Sequence, residues 1–127
     1  MRQAVSDFYR ARHGVEVSPQ RIIITPGASG ALLLALGVLL NPGEEVLLAD
    51  PGYPCNRHFV RFIEGKARAV AVGADSHYQL TAQHLAEHWQ QNTVVAMLAT
   101  PSNPTGTLIP ADELRALNTL VRERGGR

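Results

Sequence analysis

The stretch Arg21–Ala31, which reads RIIITPGASGA, constrains the fold more than any other part of the chain. It begins with four β-branched residues, Ile22–Thr25, breaks at Pro26-Gly27, and continues into the apolar run Ala31–Leu36. This order predicts a strand that ends in a glycine-rich turn and opens directly into a helix. The first N–H groups of such a helix have no intrahelical partner, and the helix dipole places partial positive charge there. The stretch therefore predicts an anion site of the kind that binds phosphate.

Three residues of this turn carry the prediction. Gly27 and Gly30 let the backbone turn sharply and approach a ligand closely. Ser29 can act as the N-cap of the helix and offer its hydroxyl to the same ligand. Many strand-to-helix turns of this composition hold only water, so an ordinary structural turn is an open alternative for the motif by itself.

Composition narrows the class of protein. The 127 residues suffice for one domain with a real core, and the net charge is only +1 with no cluster of Lys and Arg. Nucleic acid is therefore not expected as a main partner. The longest apolar run, Ala31–Leu40, is too short to cross a membrane. The single cysteine, Cys55, excludes a disulfide framework, and we expect a soluble, cytoplasmic domain without a membrane partner.

The rest of the chain alternates predicted strands and helices. The strand segments are continuous apolar runs, which are typical of a parallel sheet covered on both faces. We therefore predict an α/β fold with three layers, a mostly parallel sheet and helices on both faces. The helix Gly30–Leu40 is apolar on nearly every side, so we expect it to be sandwiched between other elements. Strands are predicted at Arg21–Thr25, Glu45–Ala49, Ala67–Val72 and Thr93–Ala99, and helices at Gln3–Arg12, Gly30–Leu40, Asn56–Ile63, Ala82–Gln90 and from Pro110 to about Arg124.

Three of the predicted strands end in unusual loops: PGASG after the first, DPGYP after the second and TPSNPTG after the fourth. Ligands of open parallel sheets bind beyond the carboxyl ends of the strands, so these loops should share one edge. They offer a phosphate-binding turn, an aromatic face at Tyr53, and an amide at Asn103 that prolines on both sides hold in place. Together they predict a pocket for a flat, phosphorylated aromatic ligand.

The order TPGASGA, DPGYP and TPSNPTG resembles the large domain of fold-type I pyridoxal-phosphate enzymes, specifically class I and II aminotransferases, over essentially the whole chain. The resemblance implies that residues 1–127 are part of the cofactor-binding large domain and that the cofactor is pyridoxal 5'-phosphate. It implies that the turn at Gly27 binds the cofactor phosphate through the N–H groups of Ala28 and Ser29 and the Ser29 hydroxyl. It also implies that Tyr53 stacks on the pyridine ring and that Asn103 hydrogen-bonds the ring 3-oxygen.

The same resemblance implies a function, the transfer of an amino group between an amino acid and a 2-oxo acid. In the family, the Schiff-base lysine, an Asp for the pyridine nitrogen and an Arg for the substrate carboxylate lie further along than Arg127. The N-terminal arm and the small domain are also missing. Lys66, the only lysine, has no motif around it and is assigned no catalytic role. We therefore expect an internal fragment that has no catalytic residue of its own and is inactive alone.

Other functions stay open at this point. One is a pyridoxal-phosphate lyase that acts on carbon–sulfur bonds, and another is the aminotransferase-like effector domain of a transcription regulator, which binds a ligand without turnover. A nucleotide site is disfavoured, because the turn lacks both G-x-G-x-x-G and G-x-x-x-x-G-K-[ST]. In the family, later strands separate Arg21–Thr25 from the other strands of this chain. Exposed edges on Arg21–Thr25 and Thr93–Ala99 therefore predict a homodimer or a strand-exchanged oligomer.

His84 and His88 stand four residues apart on the predicted helix Ala82–Gln90, a spacing that could bind a metal. Since no third ligand is nearby, we interpret them as two solvated histidines and predict no metal site. Thr81 is a plausible N-cap for the same helix. Other candidates are interpreted as structural, Cys55 and Trp89 as packing residues and Arg57 and Arg61 as surface charges of their helix.

Overall fold

The computed structural model describes all 127 residues as two units, Met1–Leu34 and Ala35–Arg127. The first unit contains helix α1 (Arg2–His13), a 3-10 turn (Pro19–Arg21) and the start of helix α2 (Gly27–Leu39). None of the five helices is both long enough and apolar enough to cross a lipid bilayer. The second unit continues α2 and adds β1 (Glu45–Asp50), α3 (Cys55–Phe62), β2 (Lys66–Ala71), a 3-10 turn (Ala74–Ser76), α4 (Ala82–His88), β3 (Thr93–Met97) and α5 (Ala111–Glu123).

The second unit is built on a three-stranded parallel sheet in the order β2-β1-β3. In the centre of the sheet, Glu45 of β1 lies opposite Lys66 of β2 on one side and Thr93 of β3 on the other. Val46 and Leu47 of β1 are fully buried. Burial on both faces is what the continuous apolar run of β1 predicts for a central parallel strand.

Alternate residues of β1 supply two separate cores, one on each face of the sheet. Leu47 packs on the face covered by α4 and α5, whereas Val46 and Leu48 pack on the face covered by α2 and α3. Successive side chains of a strand point to opposite faces, so one strand serves both layers. This three-layer arrangement confirms the predicted fold class. The helix residues that close the cores are Leu85 and Leu117 on the first face and Leu36 and Val60 on the second.

A buried polar cluster joins the amino ends of the three strands. The Thr93 hydroxyl donates to Glu45 Oε1 at 2.6 Å and accepts from the N–H of Gln90 at 3.0 Å. Arg68 Nη1 lies 3.4 Å from the other carboxylate oxygen of Glu45. The carboxylate is therefore paired despite its burial, which is the condition under which a charge is tolerated in a core.

The predicted strand Arg21–Thr25 is wrong. Residues 22–25 follow the 3-10 turn in an irregular segment, in which Ile22 is extended (φ −102°, ψ 120°) but no residue belongs to a strand. Ile23 is 78% exposed. The β-branched residues predict extended backbone, but a strand forms only where a second strand supplies hydrogen bonds, and no strand of this chain pairs with these residues.

Helix α2 begins at Gly27, so Ser29 lies inside its first turn and the predicted N-cap role of Ser29 is wrong. Thr25, rather than Ser29, makes the hydrogen bonds at the start of this helix. The N–H of Gly27 donates to the Thr25 carbonyl at 2.8 Å, and the Thr25 hydroxyl donates to the Gly27 carbonyl at 2.9 Å. Gly27 has φ +77°, a left-handed conformation that favours glycine.

The expectation that α2 is sandwiched is also wrong for this chain. Leu36 is its only buried residue, and Val38 is 85% exposed. Leu36 packs into the core that includes Val46 and Val60. An all-round apolar sequence predicts that cover is needed, but it does not say which element provides it.

The outer edge of β3 is partly paired, which corrects the expectation of an exposed edge at Thr93–Ala99. The N–H of Arg127 donates to the Val94 carbonyl at 2.8 Å, and the N–H of Ala96 donates to the Arg127 carbonyl at 3.2 Å. The Arg127 guanidinium also donates to the Leu39 carbonyl at 2.6 Å. A single residue thus blocks part of the edge that would otherwise accept another strand.

The role of β1 can be tested by truncating its most buried leucine. Leu47→Ala should lower the free energy of unfolding by about 3 kcal/mol, because it leaves a cavity in the central strand. Urea unfolding followed by circular dichroism measures this loss. Leu34→Ala is the matched control, since Leu34 is 58% exposed, and it should cost less than about 0.5 kcal/mol. Equal losses in the two variants would contradict the placement of Leu47.

Candidate functional site

A cavity of about 120 Å³ lies in the unit Ala35–Arg127, at the carboxyl ends of β1 and β3. These strands are parallel neighbours, so the loops that follow them start from the same edge of the sheet. Tyr53 from the first loop and Asn103 from the second both line the cavity. The structure therefore brings together two of the residues that the sequence singles out.

Tyr53 offers a partly exposed ring, with 37% of its surface accessible. Hydrogen bonding to the Cys55 side chain, together with the charge of that thiol when ionised, raises the pKa of Tyr53 above its ordinary value. Cys55 is a free, half-buried thiol. Cys55 therefore acts on the Tyr53 phenol at the cavity wall in addition to packing.

Asn103 and Asn56 give the cavity unused hydrogen-bonding capacity. The Asn103 side chain makes no hydrogen bond within the chain, so its amide donors and its acceptor are free. Asn56 Oδ1 is buried and has no partner. A buried acceptor without a partner costs about 1–3 kcal/mol, a penalty that a bound ligand with a suitable donor removes.

Arg57 and Arg61 also line the cavity, from positions one turn apart on α3. Arg57 Nη2 lies 3.7 Å from the Asp50 carboxylate, whereas Arg61 forms no ion pair. Both are surface charges of their helix, as the sequence indicates, but their place beside the cavity was not predicted. Charges spaced by four residues on an amphipathic helix look the same in the sequence whether they face water or a cavity.

Gln79 is the cavity residue for which the sequence gives no signal. It follows β2 in a loop, no motif surrounds it, and yet its side chain is only 4% exposed. Glutamine is mostly a surface residue, so burial here requires partners. Its amide nitrogen donates to carbonyl groups of the loop after β3, which places it among the residues that shape the site.

The predicted phosphate turn, Gly27, Ala28 and Ser29, forms the first turn of α2 in the unit Met1–Leu34. The N–H groups of Ala28 and Ser29 make no hydrogen bond, and neither does the Ser29 hydroxyl. Three donors are therefore free at the positive end of the helix dipole. Free donors at a helix N-terminus are an arrangement that can bind an anion. Ser29 contributes its donors from within the first turn of the helix rather than from the N-cap position.

His84 belongs to a helix cap. Its N–H donates to the Thr81 hydroxyl at 3.2 Å, and its Nδ1 accepts from the N–H of Thr81 at 3.2 Å, which forms a capping box. This confirms Thr81 as the N-cap of α4. No group of three His, Cys, Asp or Glu side chains in the chain could hold a metal ion. His88 is half-buried at the last turn of the same helix.

Comparison with known proteins identifies the family of the chain. The family model described as aminotransferase class I and II matches residues 1–127. The valine–pyruvate aminotransferase of Mycobacterium tuberculosis is 39% identical over 92% of this chain and 30% of its own length. The (5-formylfuran-3-yl)methyl phosphate transaminase of Methanocaldococcus jannaschii is 34% identical over 86% of this chain and 27% of its own length.

A solved structure is similar over the same region. The crystal structure of an aminotransferase from Mycobacterium tuberculosis superimposes with a TM-score of 0.93 and 36% identity. The alignment covers 99% of this chain and 32% of that one. The chain therefore spans about 30% of the length of the relatives that it matches.

The environment of Tyr53 can be tested by titration. The difference in tyrosinate absorbance between the wild type and Tyr53→Phe reports the pKa of Tyr53 alone. Repeating the pair of measurements in a Cys55→Ala background should move this pKa downward, because the neighbour that opposes the phenolate is gone. An unchanged midpoint would show that Cys55 does not act on Tyr53.

Proposed function

The chain belongs to the class I and II aminotransferase family, and on that premise we propose that it forms part of a pyridoxal-phosphate-binding domain. The parent enzyme would transfer an amino group between an amino acid and a 2-oxo acid. The observation that carries the proposal is the meeting of the Tyr53 ring and the unpaired Asn103 amide in one cavity at the carboxyl edge of the sheet. Activity belongs to the whole protein, since the relatives are about three times longer.

The residues present fit this cofactor group by group. A flat pyridine ring matches the exposed face of Tyr53, and its 3-oxygen matches the free donors of Asn103. In the unit Met1–Leu34, taken by itself, the unpaired N–H groups at Ala28 and Ser29 that follow Gly27 suit a phosphate. When bound, pyridoxal phosphate supplies the electron sink that stabilises negative charge at the α-carbon of the substrate.

The chain's own residues would then orient and polarise the bound molecules. A hydrogen bond donated by Asn103 favours the ionised form of an oxygen that accepts it. Arg57 and Arg61 give the cavity positive charge, which suits the carboxylate that both an amino acid and a 2-oxo acid carry. Tyr53 presents an uncharged ring, which does not repel these anions.

Lys66 does not take part in this site. It is the first residue of β2, and its side chain is not among those that line the cavity. We therefore propose that the chain binds the cofactor without a covalent bond and is inactive by itself, and that the parent protein contributes the reactive lysine from elsewhere. A cytoplasmic, homodimeric parent enzyme is part of the same proposal.

Binding is best tested with pyridoxine 5'-phosphate, which has no aldehyde and so cannot react with Lys66 or the N-terminal amine. Equilibrium dialysis measures its affinity for the purified chain. Asn103→Ala and Ser29→Ala should each weaken binding about fivefold, the equivalent of one lost hydrogen bond. Tyr53→Ala should weaken it about tenfold, through the lost ring contact.

Matched variants separate these effects from general damage. Asn118→Ala removes an exposed amide on α5, and Tyr9→Ala removes a ring on α1 that is 45% exposed. Both should bind like the wild type. Undetectable binding by the folded wild-type chain, or equal losses in the site variants and these controls, would overturn the proposal.

A further inference from the structure

The Gln79 side chain closes the base of the loop that carries Asn103. Gln79 Nε2 donates to the Ala99 carbonyl at 3.2 Å, where this loop begins, and to the Thr107 carbonyl at 2.8 Å, where it ends. It also lies 3.2 Å from the Thr107 hydroxyl. One buried amide from the segment after β2 thus joins both ends of a loop that follows β3.

Bonds within the loop continue this closure. The N–H of Ser102 donates to the Thr107 carbonyl at 2.9 Å, and the N–H of Gly106 donates to the Ser102 carbonyl at 2.8 Å. The Thr105 and Thr107 hydroxyls lie 2.9 Å apart. The Thr107 carbonyl therefore accepts two bonds, one from Gln79 and one from Ser102, and so links the buried amide to the residue next to Asn103.

Asn103 depends on this backbone for its position. Its side chain makes no hydrogen bond in the chain, and the residue is exposed at the cavity. Without partners of its own, the side chain is placed only through its Cα–Cβ bond, which moves with the backbone. The loop accordingly sets the position from which the Asn103 amide reaches the cavity, and Gln79 sets the base of the loop.

The segment before Gln79 adopts a costly conformation to bring it there. His77 and Tyr78 have φ values of +52° and +55°, a left-handed conformation that non-glycine residues adopt only at an energetic cost. The N–H of Tyr78 donates to the Gly73 carbonyl at 2.7 Å, and the N–H of Gln79 donates to the Ser76 carbonyl at 3.0 Å. These bonds hold the segment against its strain.

We propose that Gln79 is a positioning residue, whose amide nitrogen holds the loop of residues 99–107 in the conformation that aims Asn103 at the cavity. It touches no part of the reaction itself. The structural half of this inference concerns only the chain, whereas its effect on ligand affinity rests on the proposed function.

The test is Gln79→Glu, which keeps the shape of the side chain but removes the donor at neutral pH. The ionised carboxylate would face two carbonyl oxygens, so the base of the loop should open. In ¹H–¹⁵N spectra, the Asn103 side-chain signals, assigned by their loss in Asn103→Ala, should shift. Exchange of the Ser102 and Gly106 amide hydrogens should accelerate about tenfold, and pyridoxine 5'-phosphate should bind about fivefold more weakly.

A pH series identifies the donor as the cause. A protonated carboxyl regains one O–H donor, so lowering the pH should return the Asn103 signals of Gln79→Glu toward their wild-type positions. The burial of this carboxyl raises its pKa, so the recovery should begin above the pH at which an exposed Glu is protonated. The wild type should show no such transition. Its absence in the variant would contradict the proposed role of the donor.

Thr93→Val is the matched control, because it deletes a buried hydrogen bond at the amino end of the same sheet. It should lower stability and leave the Asn103 signals and the affinity as in the wild type.

If Gln79→Glu does not fold, Gln79→Met removes the donor without adding charge and is measured in the same way. Unchanged Asn103 signals in the folded Gln79 variant would overturn the inference. Shifted signals with no ligand binding by the wild type would uphold it and refute the proposed function instead.

Discussion

The structure of residues 35–127 depends on the burial of β1, which lies between the strands β2 and β3 and is covered by helices on both faces of the sheet. Glu45, at its start, is hydrogen-bonded into the sheet and paired with groups from both neighbours, and Val46 and Leu47 face opposite cores. Every helix of the α/β layers packs against side chains that this strand or its neighbours present. A shift of one residue in β1 would exchange its two sets of side chains between the cores, so its register fixes both layers together.

The two ends of the sheet have opposite characters. At the amino end, Glu45, Thr93 and Arg68 satisfy one another in a closed polar cluster. At the carboxyl end, the polar groups of Asn103, Asn56 and Arg61 are left without partners around a cavity. Asn56 Oδ1 is buried, so its lack of a partner is costly, whereas the exposed Asn103 and Arg61 are available to a ligand. This end of the sheet therefore suits a ligand, and the amino end suits packing.

How much the sequence predicts depends on how local the determining interactions are. The β1, β2 and β3 strands, the Thr81 cap and the meeting of Tyr53 with Asn103 follow from apolar runs, turn residues and the rule for parallel sheets. The sequence predicts a strand at Arg21–Thr25 that the structure does not contain. Pairing depends on a second strand, and the local pattern says nothing about whether one is available. Gln79 could not be found, because its importance comes from bonds to residues 20 and 28 positions away.

The exposed apolar side of α2 affects the thermodynamics of unfolding. Val38 and Leu34 already contact water in the folded chain, as does Ile23 before them. Unfolding therefore hydrates less new apolar surface than in a fully covered domain of this length, for which the heat-capacity increase is about 1.5–1.9 kcal/mol/K. The chain should have a smaller increment, and with it a flatter stability curve and a lower denaturant m-value. If another element covered α2, the free energy of unfolding would rise, and its dependence on temperature would become more strongly curved.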